Sequence, residues 1–291
     1  MTSAASDAPT WFTEALAAPT STGAVVVEGA QIRFRAWGQA GAPGLVLVHG
    51  GAAHSRWWDH IGPLLADGRR VVALDLSGHG DSDTRDHYSL ALWADEVLAV
   101  AAAAGIDGPP VLIGHSMGGM VAFLAAHRAG PALAGVQVID SPIYARTPEE
   151  DAARRQAAFG PKKVYPDRDG ALARFRLVPP QDTTLPYVLT HIAETSLGAV
   201  DGGWSWKFDA SMFGRDGSTD LGAGHPDCRM AFFRSERGII PAGTLAEMRT
   251  RFGPAALVVE LPTAGHHPMI DQPLVLVTAI RTTLAAWAAD A

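Results

Sequence analysis

Apolar runs and helical patches alternate along most of this chain. Leu45 to Val48 is apolar throughout and ends in His49-Gly50-Gly51. Asp59 to Ala66 then has helical spacing. Val71 to Leu74 is a second run, closed by Asp75. Leu90 to Ala104 is a long Ala-rich helical stretch stopped by Gly105. Val111 to Ile113 is a third run and leads into Gly114-His115-Ser116-Met117-Gly118-Gly119. Met120 to Ala129 is helical up to Gly130-Pro131, and Val136 to Ile139 is a fourth run, closed by Asp140. Strands without polar alternation are buried on both faces, and helices between them make the crossovers of a parallel sheet. The pattern predicts an α/β fold with a mostly parallel central sheet flanked by helices.

The two ends and the middle depart from this rhythm. Trp11, Phe12, Ala15 and Leu16 are spaced to dock one short helix. Ala24 to Val27 and Ile32 to Ala36 bracket Glu28-Gly29-Ala30 as a hairpin would. After Pro142 the alternation breaks, and up to about Pro226 the chain is richer in Pro, Arg and aromatics. Pro148-Glu149-Glu150 reads as the start of a polar helix. Trp204, Trp206, Phe208, Met212 and Phe213 crowd near the end of the segment. The rhythm resumes with Met230 to Phe233, a helix around Thr244 to Arg251, the run Leu257 to Val259, and a last helix from Pro273 to Ala288. The expected organisation is an N-terminal extension (1–22), an α/β core (23–141 and 227–291) and a helical cap inserted in it (142–226).

Composition narrows the function classes. The 291 residues are 47% hydrophobic and 18% charged, enough for one large core. The net charge of −7 is offset by no basic stripe, so nucleic-acid binding is not expected. A single cysteine, Cys228, cannot form an internal disulfide and reads as a buried, inert residue at a strand start. Met1 to Thr10 lacks the basic and apolar regions of a secretory signal, and no run of 18 apolar residues occurs. The expectation is a cytoplasmic protein, off the membrane, monomeric or homodimeric, acting on a small molecule.

The candidate chemistry centres on Gly114-x-Ser116-x-Gly118. The bare pattern arises by chance in roughly one chain in ten of this length, so its setting must carry the weight. It follows a strand and opens a helix. A sharp strand-to-helix turn strains the central residue, and glycines on either side remove the clashes. The helix start then offers N–H groups and a positive dipole end to an oxyanion.

With Leu47-Val48-His49-Gly50-Gly51, Asp75-Leu76-Ser77-Gly78-His79-Gly80-Asp81-Ser82 and Ala264-Gly265-His266-His267-Pro268-Met269 in the same order and spacing, the sequence resembles the capped α/β-hydrolase superfamily. The resemblance covers about 24 to 288. It implies Ser116 as nucleophile and His266 as its base, His267 being the neighbour that points elsewhere. It implies an oxyanion hole from the N–H groups of Met117 and Gly51. His49 would tie its loop together. The third member of the triad departs from the usual pattern. In the turn Arg234-Ser235-Glu236-Arg237-Gly238 the usual acid position holds Arg237, with Glu236 one step off. A second location known in the fold, the end of the strand before the cap, holds Asp140. Its place at a strand's carboxyl end favours Asp140, with Glu236 as the alternative.

The pocket is read more coarsely. His54, Trp57, His115, Trp204 and Trp206 are its candidate residues. For the tryptophans the competing role is core packing, and for His115 that of a packed neighbour. On a helix Trp204 and Trp206 would not share a face, so one of them should look into the cleft. Arg168, Arg174 and Arg176 either hold an anionic substrate or form a solvated helix face. No His-x-x-x-His helix or Cys/His cluster suggests a metal, and the chemistry needs no cofactor. The resemblance implies cleavage of a carboxylic ester or lactone of a partly apolar substrate through an acyl-serine. The same triad also serves carbon–carbon hydrolysis, perhydrolysis and cofactor-free oxygenation, and some members of the fold are ligand receptors.

Overall fold

The computed structural model describes residues 8–143, 163–214, 221, 224–253 and 256–289. Helix α1 (Thr10–Ala17) precedes the antiparallel hairpin of β1 (Ser21–Val27) and β2 (Ala30–Trp37). Then follow β3 (Ala42–Val48), α2 (Gly62–Leu65), β4 (Arg70–Leu74), α3 (Leu90–Ala103), β5 (Ile106–His115), α4 (Met117–Ala129) and β6 (Gly135–Ile139). The next stretch holds α5 (Arg168–Leu172), α6 (Pro186–Thr195) and a second hairpin, β7 (Leu197–Val200) with β8 (Gly203–Trp206). The chain closes with β9 (Arg229–Arg237), α7 (Thr244–Phe252), β10 (Leu257–Gly265), α8 (Pro268–Asp271) and α9 (Pro273–Ala289).

Eight strands form one sheet in the order β1-β2-β4-β3-β5-β6-β9-β10. The pairings β1–β2 and β2–β4 are antiparallel, and the rest are parallel. The unbroken apolar runs are explained by the two cores they serve. Val46, Val48, Val72 and Leu74 face α3 and α4 with Trp93 and Phe123. Leu45, Leu47, Val71 and Ala73 face the other side with Trp58, Ile280 and Trp287. Each fully buried Val or Leu contributes about 1.5–3 kcal/mol, so a polar replacement at these positions is costly.

The parallel strands β3, β4, β5, β6, β9 and β10 all end at one edge of the sheet. That edge collects His49-Gly50-Gly51, Asp75, Ser116, Asp140, the turn after β9 and His266. Helix α1 docks through Phe12 and Ala15, which are buried, with the Phe12 ring 4.8 Å from that of Tyr187 on α6, whereas Leu16, expected on the same face, is exposed.

Two elements differ from the sequence reading. The helix expected over Asp59 to Ala66 is a 3-10 turn at Ser55–Trp58 followed by the single turn of α2. Pro63 lacks an amide, and Gly62 sits so close under Trp37 that a Cβ would lie 2.4 Å from its ring. The segment between β6 and β9, expected to be helical, also contains the β7–β8 hairpin. Asp201-Gly202-Gly203 turns it, with both glycines at positive φ, and Trp204-Ser205-Trp206-Lys207 alternates with period two. The polar helix expected from Pro148 lies outside the described residues, as does the side chain of Phe213.

Candidate active site

Strand β5 hands over to α4 within one residue, Ser116. Its backbone sits at φ 53°, ψ −119°. A non-glycine residue there costs about 1–3 kcal/mol and persists only where the surroundings impose it. They do so here. The Ser116 N–H donates to Ile139 O at 3.0 Å, and the Ser141 hydroxyl donates to Ser116 O at 2.6 Å. A Cβ at Gly114 would lie 2.2 Å from Gly118 O, and one at Gly118 would lie 2.3 Å from His49 O. Both glycines are therefore steric requirements of the turn. Ala52 and Asp140, just past the ends of β3 and β6, also have positive φ. Strain thus gathers at the edge where the chemistry-bearing residues meet.

Three side chains form a line there. The Ser116 hydroxyl donates to His266 Nε2 at 3.0 Å, and His266 Nδ1–H donates to Asp140 Oδ2 at 2.7 Å. A carboxylate can only accept, so its contact fixes the proton on Nδ1 and leaves Nε2 as the acceptor. Asp140 is fully buried and takes two further donors, Ser235 N–H at 3.2 Å and Ile239 N–H at 2.9 Å. These come from the end of β9 and the turn after it. The turn therefore supplies amides to an acid on the neighbouring strand. It makes room as well, since a Cβ at Gly238 would lie 2.2 Å from Asp140 Oδ2. Glu236 points away: its Oε2 accepts from Thr263 N–H at 2.5 Å. Of the two candidate acids, only Asp140 meets the imidazole.

Two stretches of backbone flank the serine. Met117 is the first residue of α4, at the positive end of the helix dipole. On the other side runs the loop after β3, where a Cβ at Gly50 would stand 3.3 Å from Ser116 Cβ. A hydroxyl held on a fixed imidazole beside a helix N-terminus can be deprotonated as it attacks an electrophile, with the new oxyanion met by N–H groups.

Comparison with known proteins agrees with this geometry. The family model described as "Alpha/beta hydrolase family" matches residues 45–279. The chain belongs to the alpha/beta hydrolase family. It is 31% identical over 242 residues to the dihydrolipoyllysine-residue acetyltransferase component of an acetoin cleaving system from Pseudomonas putida, covering 80% of this chain and 60% of that one. The chain thus spans less than two thirds of that relative. It is 26% identical over 271 residues to an sn-1-specific diacylglycerol lipase from Mus musculus, covering 85% of this chain and 83% of the other. A solved structure of E-2-(acetamidomethylene)succinate hydrolase superposes with a TM-score of 0.80, covering 92% of this chain and all of that one, at 21% identity. A likeness at that identity speaks for fold alone.

In this alpha/beta hydrolase a cavity of about 280 Å³ opens beside the loop after β3, with Gly51 and Ala52 in its wall; Ser116 and His266 are not part of that wall. Of the expected pocket residues, Trp57 and Trp206 line it. His54 does not. It is buried, and its Nε2–H donates to the Ser196 hydroxyl at 2.9 Å, so Ser196 faces the cavity in its place. His115 does not either, because its Nε2–H is committed to His266 O at 2.7 Å. Trp204 is on the same strand face as Trp206 but nearer the turn, where its ring lies 6.0 Å from the Arg168 guanidinium. Phe208, one of the aromatics crowded near the end of the inserted segment, lines it too, whereas composition and spacing had missed Lys163, Tyr165 and Phe175, all in the cavity wall. No helix among the described residues is long and apolar enough to cross a membrane.

Histidines surround the site. His115, His266 and His267 are all buried, and one ring nitrogen of each lies within 4.8 Å of the others. His266 is already committed to Asp140 and Ser116, and burial, then the neighbouring His266, keeps His115 and His267 well below the ordinary imidazole range. Burial likewise lowers His49 and His60 to about 4, and lowers His54. His49 uses both nitrogens: Nδ1–H donates to Gly50 O at 2.7 Å and Nε2 accepts from Leu76 N–H at 3.1 Å. It joins the loops after β3 and β4. Cys228 is half-buried, and burial with Asp227 nearby pushes its thiol up to about 11.

These histidines make stability pH-dependent. Each is neutral in the fold and titrates near 6.5 when unfolded. Their stabilisation is complete above about pH 7 and is lost as the pH falls toward 4, because only the unfolded chain takes up the protons. Between pH 7 and pH 5, His49 and His60 each cost about 2 kcal/mol on the values near 4. His54, His115 and His267 add in the same direction. Asp75, Glu96 and Asp271, raised by burial, oppose with a gain on acidification. The expected net result is a fall in Tm of about 5–10 °C from pH 7 to pH 5 in scanning calorimetry. A Tm that stays level would mean either that the five imidazoles are hydrated in the fold or that the three buried carboxyls offset them in full, and a Tm that rises would overturn the expectation.

Proposed function

We propose that this chain hydrolyses a carboxylic ester or lactone through an acyl-serine intermediate. The observation that carries the reading is the hydrogen-bonded line from Ser116 through His266 to Asp140. In this reading Ser116 Oγ attacks the acyl carbon as its proton passes to His266 Nε2. The carbonyl oxygen becomes an oxyanion facing the N–H groups of Met117 and Gly51. Collapse expels the alkoxide, which takes the proton from His266. Water then attacks the acyl-serine, with His266 again as base, and the acid and free serine are released. Asp140 stays a carboxylate and stabilises the imidazolium. Residues 1–22 act as an extension, 23–141 and 227–291 as the catalytic core, and 142–226 as a cap that excludes water from the cavity.

The similarity to a lipase over most of both chains supports ester cleavage. The cavity is at the small end for ligand sites, which run to about 300–1,000 Å³, so short acyl groups should turn over faster than long ones. The test is a panel of nitrophenyl esters and lactones with graded acyl length, run beside a fluorophosphonate label. Labelling of Ser116 with release of nitrophenol from short-chain esters is expected. Labelling with no turnover on the whole panel would sink the reading in favour of a ligand receptor.

A further inference from the structure

The cavity wall carries three cations, Lys163, Arg174 and Arg176. Among the described residues none of them has a carboxylate within 4 Å. Cations close by are matched: Lys207 lies 2.7 Å from Asp81, Arg56 is 3.7 Å from Asp59, and Arg168, outside the wall, is 4.0 Å from Glu194. Three like charges around one small cavity repel one another unless an anion joins them.

Both arginines are held in place by the protein through a single nitrogen. Arg174 Nη1 donates to Gly170 O at 2.8 Å, and its guanidinium lies 5.7 Å from the Tyr165 ring. Arg176 Nη1 donates to Ala173 O at 3.1 Å and Phe175 O at 2.6 Å. In each, the Nε–Nη2 edge makes no hydrogen bond among the described residues. Two parallel donors of this kind match a carboxylate or phosphate. The same wall also carries five aromatic side chains, Trp57, Tyr165, Phe175, Trp206 and Phe208, with Leu177 and Val178.

We infer that the cavity selects esters whose apolar body lies on this aromatic wall and whose far end carries an oxoanion, carboxylate or phosphate, held by Arg174, Arg176 and Lys163. The inference rests on the ester-hydrolase reading above. The cations are exposed, so each contact is screened and modest, and their sum sets the preference.

The test uses three nitrophenyl esters of equal length, ending in methyl, carboxylate or phosphate. The wild type is expected to show a kcat/KM for at least one anionic ester about tenfold above the neutral one. In the double variant Arg174→Gln/Arg176→Gln that ratio falls about tenfold, mainly through KM, and added NaCl lowers it in the wild type. Arg168→Gln leaves the ratio as it was. Comparing the carboxylate and phosphate arms identifies the anion. A wild-type ratio at or below one for both anions, or a ratio unmoved by the double variant, overturns the inference. Should no ester turn over, the same three acyl groups as methyl ketones are tested for slowing fluorophosphonate labelling of Ser116. Better protection by an anionic ketone, lost in the double variant, would support the subsite on its own. Equal protection by all three would overturn it.

Discussion

Ser116→Ala should lower kcat for any ester substrate by about a millionfold, the scale seen when a triad nucleophile is removed. His266 and Asp140 remain in place, but nothing is left for the base to activate. The oxyanion donors survive, and with them a residual acceleration of about a thousandfold over water. Folding should be little affected. Alanine suffers the same strain at φ 53°, and the backbone bonds to Ile139 and Ser141 do not involve the hydroxyl. Only the bond to His266 is lost. The check is kcat together with intact-mass detection of the fluorophosphonate adduct and a melting curve. A folded Ser116→Ala protein that is labelled as readily as the wild type would place the nucleophile elsewhere.

Why Ser116 was legible, and the pocket was not, follows from what each depends on. The elbow is a local event. A strand, a turn that needs glycine on both sides and a helix leave a mark within six residues, Gly114 to Gly119. The parallel sheet was legible for a similar reason, since strands such as Leu45–Val48 must satisfy two cores at once. The cavity is assembled from distant pieces. Gly51 and Trp57 come from the loop after β3, Lys163 and Arg174 from beyond β6, and Trp206 from a hairpin. No short pattern records that convergence. The hairpin itself was in the sequence, as Asp-Gly-Gly followed by Trp-Ser-Trp-Lys, but the aromatic crowding drew a helical reading. His54 illustrates the other error. Its place on the loop beside Trp57 suggested the pocket, whereas its ring turns to Ser196, which only the folded chain brings near.

The acid of the site was the question the sequence left open, and here substitution has a second large expected effect. Asp140→Asn should lower kcat by about ten-thousandfold, while Glu236→Gln stays within about threefold. The difference lies in what each oxygen accepts. Asp140 Oδ2 takes His266 Nδ1–H and Ile239 N–H, and Oδ1 takes Ser235 N–H. Asparagine must turn its NH₂ toward one of these two positions. Turned to His266, it forces the imidazole to accept at Nδ1 and carry its proton on Nε2, where it can no longer take one from Ser116. Turned to Ser235, it sets donor against donor in a dry site, at a cost of about 1–3 kcal/mol, and removes the charge that stabilises the imidazolium. Either way activity falls, and Tm should fall by a few degrees with it. Glutamine at 236 keeps an oxygen that can accept from Thr263 N–H, near the carboxyl ends of β9 and β10 and away from His266. Measuring both variants on one nitrophenyl ester decides the matter. A larger fall for Glu236→Gln would mean that the carboxylate serving His266 in turnover is not the one hydrogen-bonded to it at rest.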